Sequence, residues 1–275
     1  MTDSLRKPTL GLDVGGANLK AADGAGFARS TFFPLWKHPE RLADALVELT
    51  AEAPPCPVWA LTMTGELADC FRTKREGVSA ILRAVEAAAS RRSPSPQVVV
   101  YLTDGTFASV AEAEHRYLEA AASNWHATAV LAARLFPEQR GVFIDVGSTT
   151  CDIIPFSARS PTPRGRTDPE RLASGELVYT GVVRSPICAV TQVLPWRGSL
   201  CPTAQELFAT TLDAHLILAH LPEDADDRNT ADGRPATIEF ARERLARCLC
   251  ADCEQFDAAD ARAAAEAICE CKSGK

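Results

Sequence analysis

Two stretches of this chain share one plan. Gly11-Leu12-Asp13-Val14-Gly15-Gly16-Ala17-Asn18-Leu19-Lys20 and Gly141-Val142-Phe143-Ile144-Asp145-Val146-Gly147-Ser148-Thr149-Thr150-Cys151-Asp152-Ile153-Ile154 each read strand, small-residue turn, strand. In the first, Leu10, Leu12 and Val14 alternate with Thr9, Gly11 and Asp13, the period-2 pattern of a half-buried strand. Gly15-Gly16 turns the chain, Asn18 to Ala22 returns it, and Phe27 to Phe33 supplies a third strand. In the second, Asp145, Val146 and Gly147 repeat Asp13, Val14 and Gly15 at an offset of 132 residues, close to half of 275. That offset predicts two α/β lobes, residues 1–138 and 139–275, each with its own turn. Neither turn leads into a helix, and neither G-x-x-x-x-G-K-[ST] nor a post-strand G-x-G-x-x-G occurs, which argues against the common nucleotide folds.

Composition narrows the class. Hydrophobic residues make up 46% and charged residues 24%, ordinary for a chain with a sizeable core. The net charge of −7 argues against a general nucleic-acid binder or a polybasic membrane anchor. No apolar run reaches the roughly 18–20 residues of a spanning helix. Met1 to Lys7 carries charge with no apolar stretch behind it, so a secretory signal is not expected. Ten cysteines in a chain of this size read as reduced thiols, and the expected compartment is the cytoplasm. No heptad marks an oligomer interface, and a homo-oligomer stays compatible with the chain.

Between the two turns, helices are expected over Pro39 to Glu52, Lys74 to Arg91, Ser109 to Ala121 and Asn124 to Phe136. Strands are expected over Val58 to Met63 and Gln97 to Leu102. Beyond the second turn, Ser157 to Arg171 reads as an exposed polar loop, and Glu176 to Val183 and Ile187 to Val193 as β-rich. Thr203 to His220, Pro235 to Cys250 and Asp257 to Cys271 read as helices, with the acidic loop Glu223 to Asp232 between the first two.

The repeated turn suits phosphate chemistry. Small residues at Gly15, Gly16, Asn18, Gly147, Ser148, Thr149 and Thr150 let backbone N–H groups converge on an anion, and the hydroxyls add donors. Asp13 and Asp145 would repel phosphate, but they suit Mg²⁺, held directly or through its waters. Lys20 can neutralise one phosphate oxygen. Two such loops facing each other would clamp a diphosphate. Against this stands the ordinary β-turn, which one copy alone would not exceed.

Cys248, Cys250, Cys253, Cys269 and Cys271 offer enough thiolates for zinc but lack paired CxxC knuckles, so they also read as small apolar helix residues. His126 reads as a surface helical histidine or as lining for a substrate site. No G-x-S-x-G supports serine catalysis.

The paired Asp-x-Gly hairpins resemble the actin, sugar-kinase and heat-shock-chaperone ATPase superfamily. Further stretches resemble, more narrowly, the hydantoinase/oxoprolinase-like proteins of tetrahydromethanopterin-linked one-carbon metabolism. They are Met63-Thr64-Gly65-Glu66-Leu67, Ala122-Ser123-Asn124-Trp125, Tyr179-Thr180-Gly181-Val182, Pro195-Trp196-Arg197-Gly198, Glu206-Leu207-Phe208-Ala209-Thr210-Thr211 and Thr230-Ala231-Asp232-Gly233-Arg234-Pro235-Ala236. The resemblance implies an actin-like, ribonuclease H-like fold; members of that superfamily usually close the second lobe with a further strand, whereas this chain ends in Cys269 to Lys275 on a helix, so either it is a fragment or the lobe is trimmed. It also implies a transferase of methanofuran or methylofuran biosynthesis. A furanmethyl diphosphate and γ-glutamyltyramine would be the small-molecule partners, with pyrophosphate released and Mg²⁺ as cofactor. On that reading Glu66, then Asp152, is the base for the phenol, and Lys20 faces the leaving group. Thr64, Asn124, Thr180 and Asp213 would line the substrate site, and Arg197 would fork the γ-glutamyl carboxylate, unless Trp196-Arg197 is a packed ring beside a surface cation. The alternatives are an ATP-dependent kinase or hydrolase of the same superfamily, with ATP as ligand, and a non-catalytic scaffold.

Overall fold

The computed structural model describes residues 8–273. The segment read for a leader, Met1 to Lys7, and the last two residues lie outside the described residues. The chain is α/β with mixed sheets and forms two compact units. One comprises residues 1–143 and 154–174, the other 144–153 and 175–275. The 138/139 division expected from the sequence therefore differs from the contact-defined units, because residues 154–174 pack with the first of them.

In the first unit β1 (Thr9–Val14), β2 (Asn18–Ala22) and β3 (Ala28–Phe32) form an antiparallel meander. After α1 (Leu42–Thr50), β4 (Val58–Met63) enters parallel to β1. After α2 (Lys74–Ser90), β5 (Gln97–Tyr101) enters parallel to β4, and β6 (Phe107–Ser109) closes the edge. The sheet order is β3-β2-β1-β4-β5-β6. The alternation puts Leu10, Leu12, Val14, Trp59, Leu61 and Met63 on one face, at most 3% exposed. Leu42, Leu46 and Leu49 of α1 and Val78, Ile81, Leu82 and Val85 of α2 join the same core. The periods of 2 and 3.6 residues that the sequence shows thus meet as sheet on helix. The other face carries Gly11, Asp13, Ala60 and Thr62, the complementary set.

The remaining helices of this unit are short. Ser109 to Ala121, expected as one helix, breaks at Arg116 into α3 (Val110–His115) and α4 (Tyr117–Ala120), because Arg116 leaves helical geometry at φ −94°, ψ 37°. α5 (Asn124–Leu135) buries Trp125, Ala129 and Ala133.

β7 (Arg140–Val146) and β8 (Cys151–Ser157) are the second strand–turn–strand, and the chain passes from one unit to the other within each of them. A two-residue β9 (Ser160–Pro161) pairs with β8. The polar segment expected as an exposed loop to Arg171 instead enters α6 (Asp168–Ser174). Arg171 is 1% exposed and lies 4.0 Å over the Trp125 ring, a cation–π contact that the loop reading hid.

The second unit opens with β10 (Leu177–Val178) beside β8. Ile187 to Val193, expected as β-rich, starts instead as α7 (Ile187–Val190), followed by the hairpin β11 (Val193–Trp196) and β12 (Ser199–Pro202). The helix expected from Thr203 begins only at α8 (Thr211–Ile217). The reason is a capping box: Thr210 and Asp213 each satisfy the other's backbone N–H, fixing the helix start between them. α9 (Ile238–Arg247) and α10 (Ala258–Ser273) pack on α8 over a core of Ile187, Leu194, Leu245, Phe256 and Ile268. Among the described residues no helix is long and apolar enough to cross a membrane. None of the ten cysteines forms a disulfide.

Candidate active site

Strand register assembles the first cluster. Asp13 stands opposite Lys20 across β1–β2 and opposite Thr62 across β1–β4. Lys20 Nζ donates to Asp13 Oδ2 at 3.3 Å, and Thr62 Oγ1 donates to Asp13 Oδ1 at 3.2 Å. Asp13 is mostly buried, at 21% side-chain exposure, and Lys20 is open at 58%. Thr62 was not singled out in the sequence. Its signal is parity: in a parallel β1–β4 pair it is the one polar residue in register with Asp13.

The turn behind this row is tight. Gly15 N–H donates to the Asn18 carbonyl at 3.0 Å, while Thr64 and Gly65 N–H groups both donate to the Val14 carbonyl, at 2.9 and 3.0 Å. The structure thus joins Gly15, Gly16 and Asn18 to Thr64, Gly65 and Glu66, segments that stand about fifty residues apart in the chain. In the second unit Gly147 N–H donates to the Thr150 carbonyl at 2.8 Å, the same bond displaced by 132 positions. There Val182 N–H donates to Gly147, and Val183 and Arg184 N–H groups donate to Ser148. A Cβ on Gly181 would stand 2.3 Å from the Ser148–Thr149 backbone, so only glycine permits this approach. Each turn is therefore buttressed by a segment of its own unit, Thr64-Gly65 or Gly181 to Arg184. Asp145 is exposed on β7, and Asp152 is half-buried on β8 opposite Leu177.

Glu66 is 1% exposed. Burial raises its pKa to about 7, the nearby Asp168 adds to the rise, and Lys74 and backbone N–H groups oppose it. Its Oε2 is buried with no hydrogen-bond partner among the described residues. α2 presses on this carboxylate's backbone: a Cβ on Gly77 would stand 2.0 Å from the Glu66 carbonyl oxygen. Lys74 and Asp168 pair at 3.2 Å, and both line a cavity of about 220 Å³ with Ala122, Arg166 and Pro169. Sequence reading missed this pair, since nothing local links residues 94 positions apart. Asn124 opens α5 and accepts the Trp125 N–H at 2.7 Å. Next to it, His126 is half-buried, contrary to the surface reading: Tyr101 OH lies 2.8 Å from its Nδ1. Both line a groove of about 1340 Å³ that also takes in Asp13, Lys20 and Thr62.

Two expected substrate residues are otherwise engaged. Asp213 is fully buried; it accepts from Thr210 N–H at 2.9 Å and from Arg244 Nε at 2.8 Å, so both its oxygens serve the fold of the second unit. Arg197 occupies the β11–β12 turn at φ 50° and donates to the Gln255 carbonyl at 2.8 Å.

Residues 58–274 match the hydantoinase/oxoprolinase family. The chain belongs to that family. This hydantoinase/oxoprolinase member is 38% identical over 248 residues, 89% of its length and 72% of the other's, to the (4-{4-[2-(gamma-L-glutamylamino)ethyl]phenoxymethyl}furan-2-yl)methanamine synthase of Methanocaldococcus jannaschii. It is 33% identical over 117 residues to the protein of the same name from Methanococcus vannielii, covering 42% of this chain and 52% of that one. Among solved structures, two Ppx/GppA-family structures from Aquifex aeolicus align with this family member at TM-scores of 0.37 and 0.31 and identities of 14% and 13%. They cover 79% and 56% of this chain and 65% and 49% of theirs.

Proposed function

We propose that this chain is a transferase that joins a furanmethyl diphosphate to the phenol of γ-glutamyltyramine, forming an aryl ether and releasing pyrophosphate in methanofuran or methylofuran biosynthesis. The observation that carries it is the 38% identity to a synthase named for that ether, over 89% of the chain. Beside it stands the Lys20–Asp13–Thr62 row. The fold behind the reading is the two-lobed actin-like plan, with Gly15, Gly16 and Asn18 in one unit and Gly147 to Thr150 in the other as diphosphate-binding turns.

The methylene C–O bond breaks and its electron pair leaves on the diphosphate. The phenol oxygen forms the new C–O bond, and its proton passes to a carboxylate. The furan ring stabilises positive charge developing on the methylene, so the protein's main work is to hold the leaving group. Lys20 and the turn amides do this. Glu66 suits the proton acceptor, because a carboxylate titrating near neutrality is matched to that task. At 1% exposure it meets substrate only when the turn carrying it opens. Asp152 is the second candidate base, and Thr64, Asn124 and Thr180 stay candidate substrate contacts. Mg²⁺ fits the oxygen donors Asp13 and, in the other unit, Asp145, and would neutralise diphosphate charge when bound. A coupling assay with the two substrates tests the reading: pyrophosphate release matching ether formation supports it. Turnover that requires ATP, or none at all with this substrate pair, overturns it.

A further inference from the structure

The second unit gathers two histidines and a cysteine that the proposed reaction does not use. His215 stands in α8, His220 follows five residues later, and Cys269 stands on α10. One ligand atom of each lies within 4.8 Å of the other two, and among the described residues this is the one group of three histidine, cysteine or carboxylate side chains so placed. The two imidazole Nδ1 atoms are 3.2 Å apart and the ring centroids 5.5 Å.

The backbone arranges this contact. Past the end of α8, Ala219 adopts φ 54°, and the N–H groups of His220 and Leu221 turn back to the His215 carbonyl at 2.9 and 3.4 Å. The left-handed region costs a residue with a Cβ about 1 kcal/mol. That reversal returns His220 to the side of His215. α10 packs along α8 and delivers the half-buried Cys269 to the same spot.

We propose that His215, His220 and Cys269 form a site for one zinc-class divalent ion that ties α8 to α10. Tetrahedral zinc holds two imidazole nitrogens roughly 3.3 Å apart, given Zn–N bonds of about 2.0–2.1 Å. The observed 3.2 Å fits that spacing. A thiolate at about 2.3 Å from zinc stands roughly 3.6 Å from each nitrogen, so a side-chain rotation of about 1 Å completes the set. Imidazole and thiolate select borderline-soft metals over Mg²⁺ or Ca²⁺, which take oxygen. His220 is on the exposed side, which leaves the fourth position to water. Of the five cysteines near the C-terminus, Cys269 alone belongs to the group. Cys248 is buried and its thiol is pushed up to about 12 by desolvation, which disfavours the thiolate a metal needs.

The test uses the full chain, stripped with chelator and held reduced, titrated with ZnCl₂ and separately with CoCl₂. Calorimetry should find one zinc per chain, with a rise in Tm from linkage. Cobalt should give tetrahedral d–d bands with a thiolate charge-transfer band. His220→Ala and Cys269→Ser should each weaken zinc by at least about tenfold, and Cys269→Ser should remove the charge-transfer band. Cys253→Ser should change neither, and circular dichroism of each variant checks that it is folded. No stoichiometric zinc on the wild type, or equal affinity in folded His220→Ala and Cys269→Ser, overturns the site. So does loss of binding in Cys253→Ser alone.

Discussion

At the scale of single residues, Asp13 and Glu66 of the first unit have opposite surroundings, and substitution tests each differently. Asp13 is held between a hydroxyl and an ammonium. Asp13→Asn removes the charge that orients Lys20, and turnover should fall by at least about a hundredfold in the pyrophosphate-release assay, as for loss of one preorganised electrostatic contact. Glu66 is sealed away, with its pKa raised from 4.5 to about 7. The folded chain therefore binds this proton more tightly than the unfolded chain, and stability falls as pH rises from about 4.5 through 7. Above pH 7 the cost is about 3 kcal/mol. Glu66→Gln should raise urea-unfolding stability at pH 8 and change it little at pH 4, while turnover drops. A variant that is no more stable at pH 8 would refute the buried charge.

At the scale of elements, legibility followed periodicity. β1, β4, α1 and α2 show their alternation over enough residues to be read; the structure places β1, β4 and α2 within one residue of the expected ends, and α1 within three. Short elements were less legible: the four residues of α7 carry no helical period, and β10 takes up only two residues of the stretch expected as β-rich. α8 was read eight residues too early, since Thr210-x-x-Asp213 is a start signal hidden inside an apolar run. The site was legible where chemistry is local, as in both turns, and illegible where register across strands or helices makes it, as for Thr62, Lys74–Asp168 and Tyr101–His126. Two substitutions probe these supports. Asp213→Ala strips α8 of its cap and leaves Arg244, 0% exposed, beside a missing partner. It should cost about 3–5 kcal/mol in chemical unfolding. Gly181→Ala forces backbone 2.3 Å away to move, and should cost about 1–3 kcal/mol while misaligning the Ser148–Thr149 turn.

At the scale of the whole molecule, one 132-residue offset recurs as residue identity and as hydrogen bond, Gly15 to Asn18 and Gly147 to Thr150. If both turns bind diphosphate, pyrophosphate with Mg²⁺ should raise Tm more than ATP with Mg²⁺, and Gly147→Val should reduce that rise; equal shifts with ATP would sink the diphosphate reading. The arrangement around α5 also makes the protein its own optical reporter. Of four tryptophans, Trp125 is buried beneath the Arg171 guanidinium and meets the His126 ring edge-on at 5.3 Å. Burial holds His126 below its ordinary pKa of 6.5, so the imidazolium that quenches indole emission forms only in mild acid. A ligand entering the Tyr101–His126 groove would shift that titration, and its arrival could be followed as light, with no label attached.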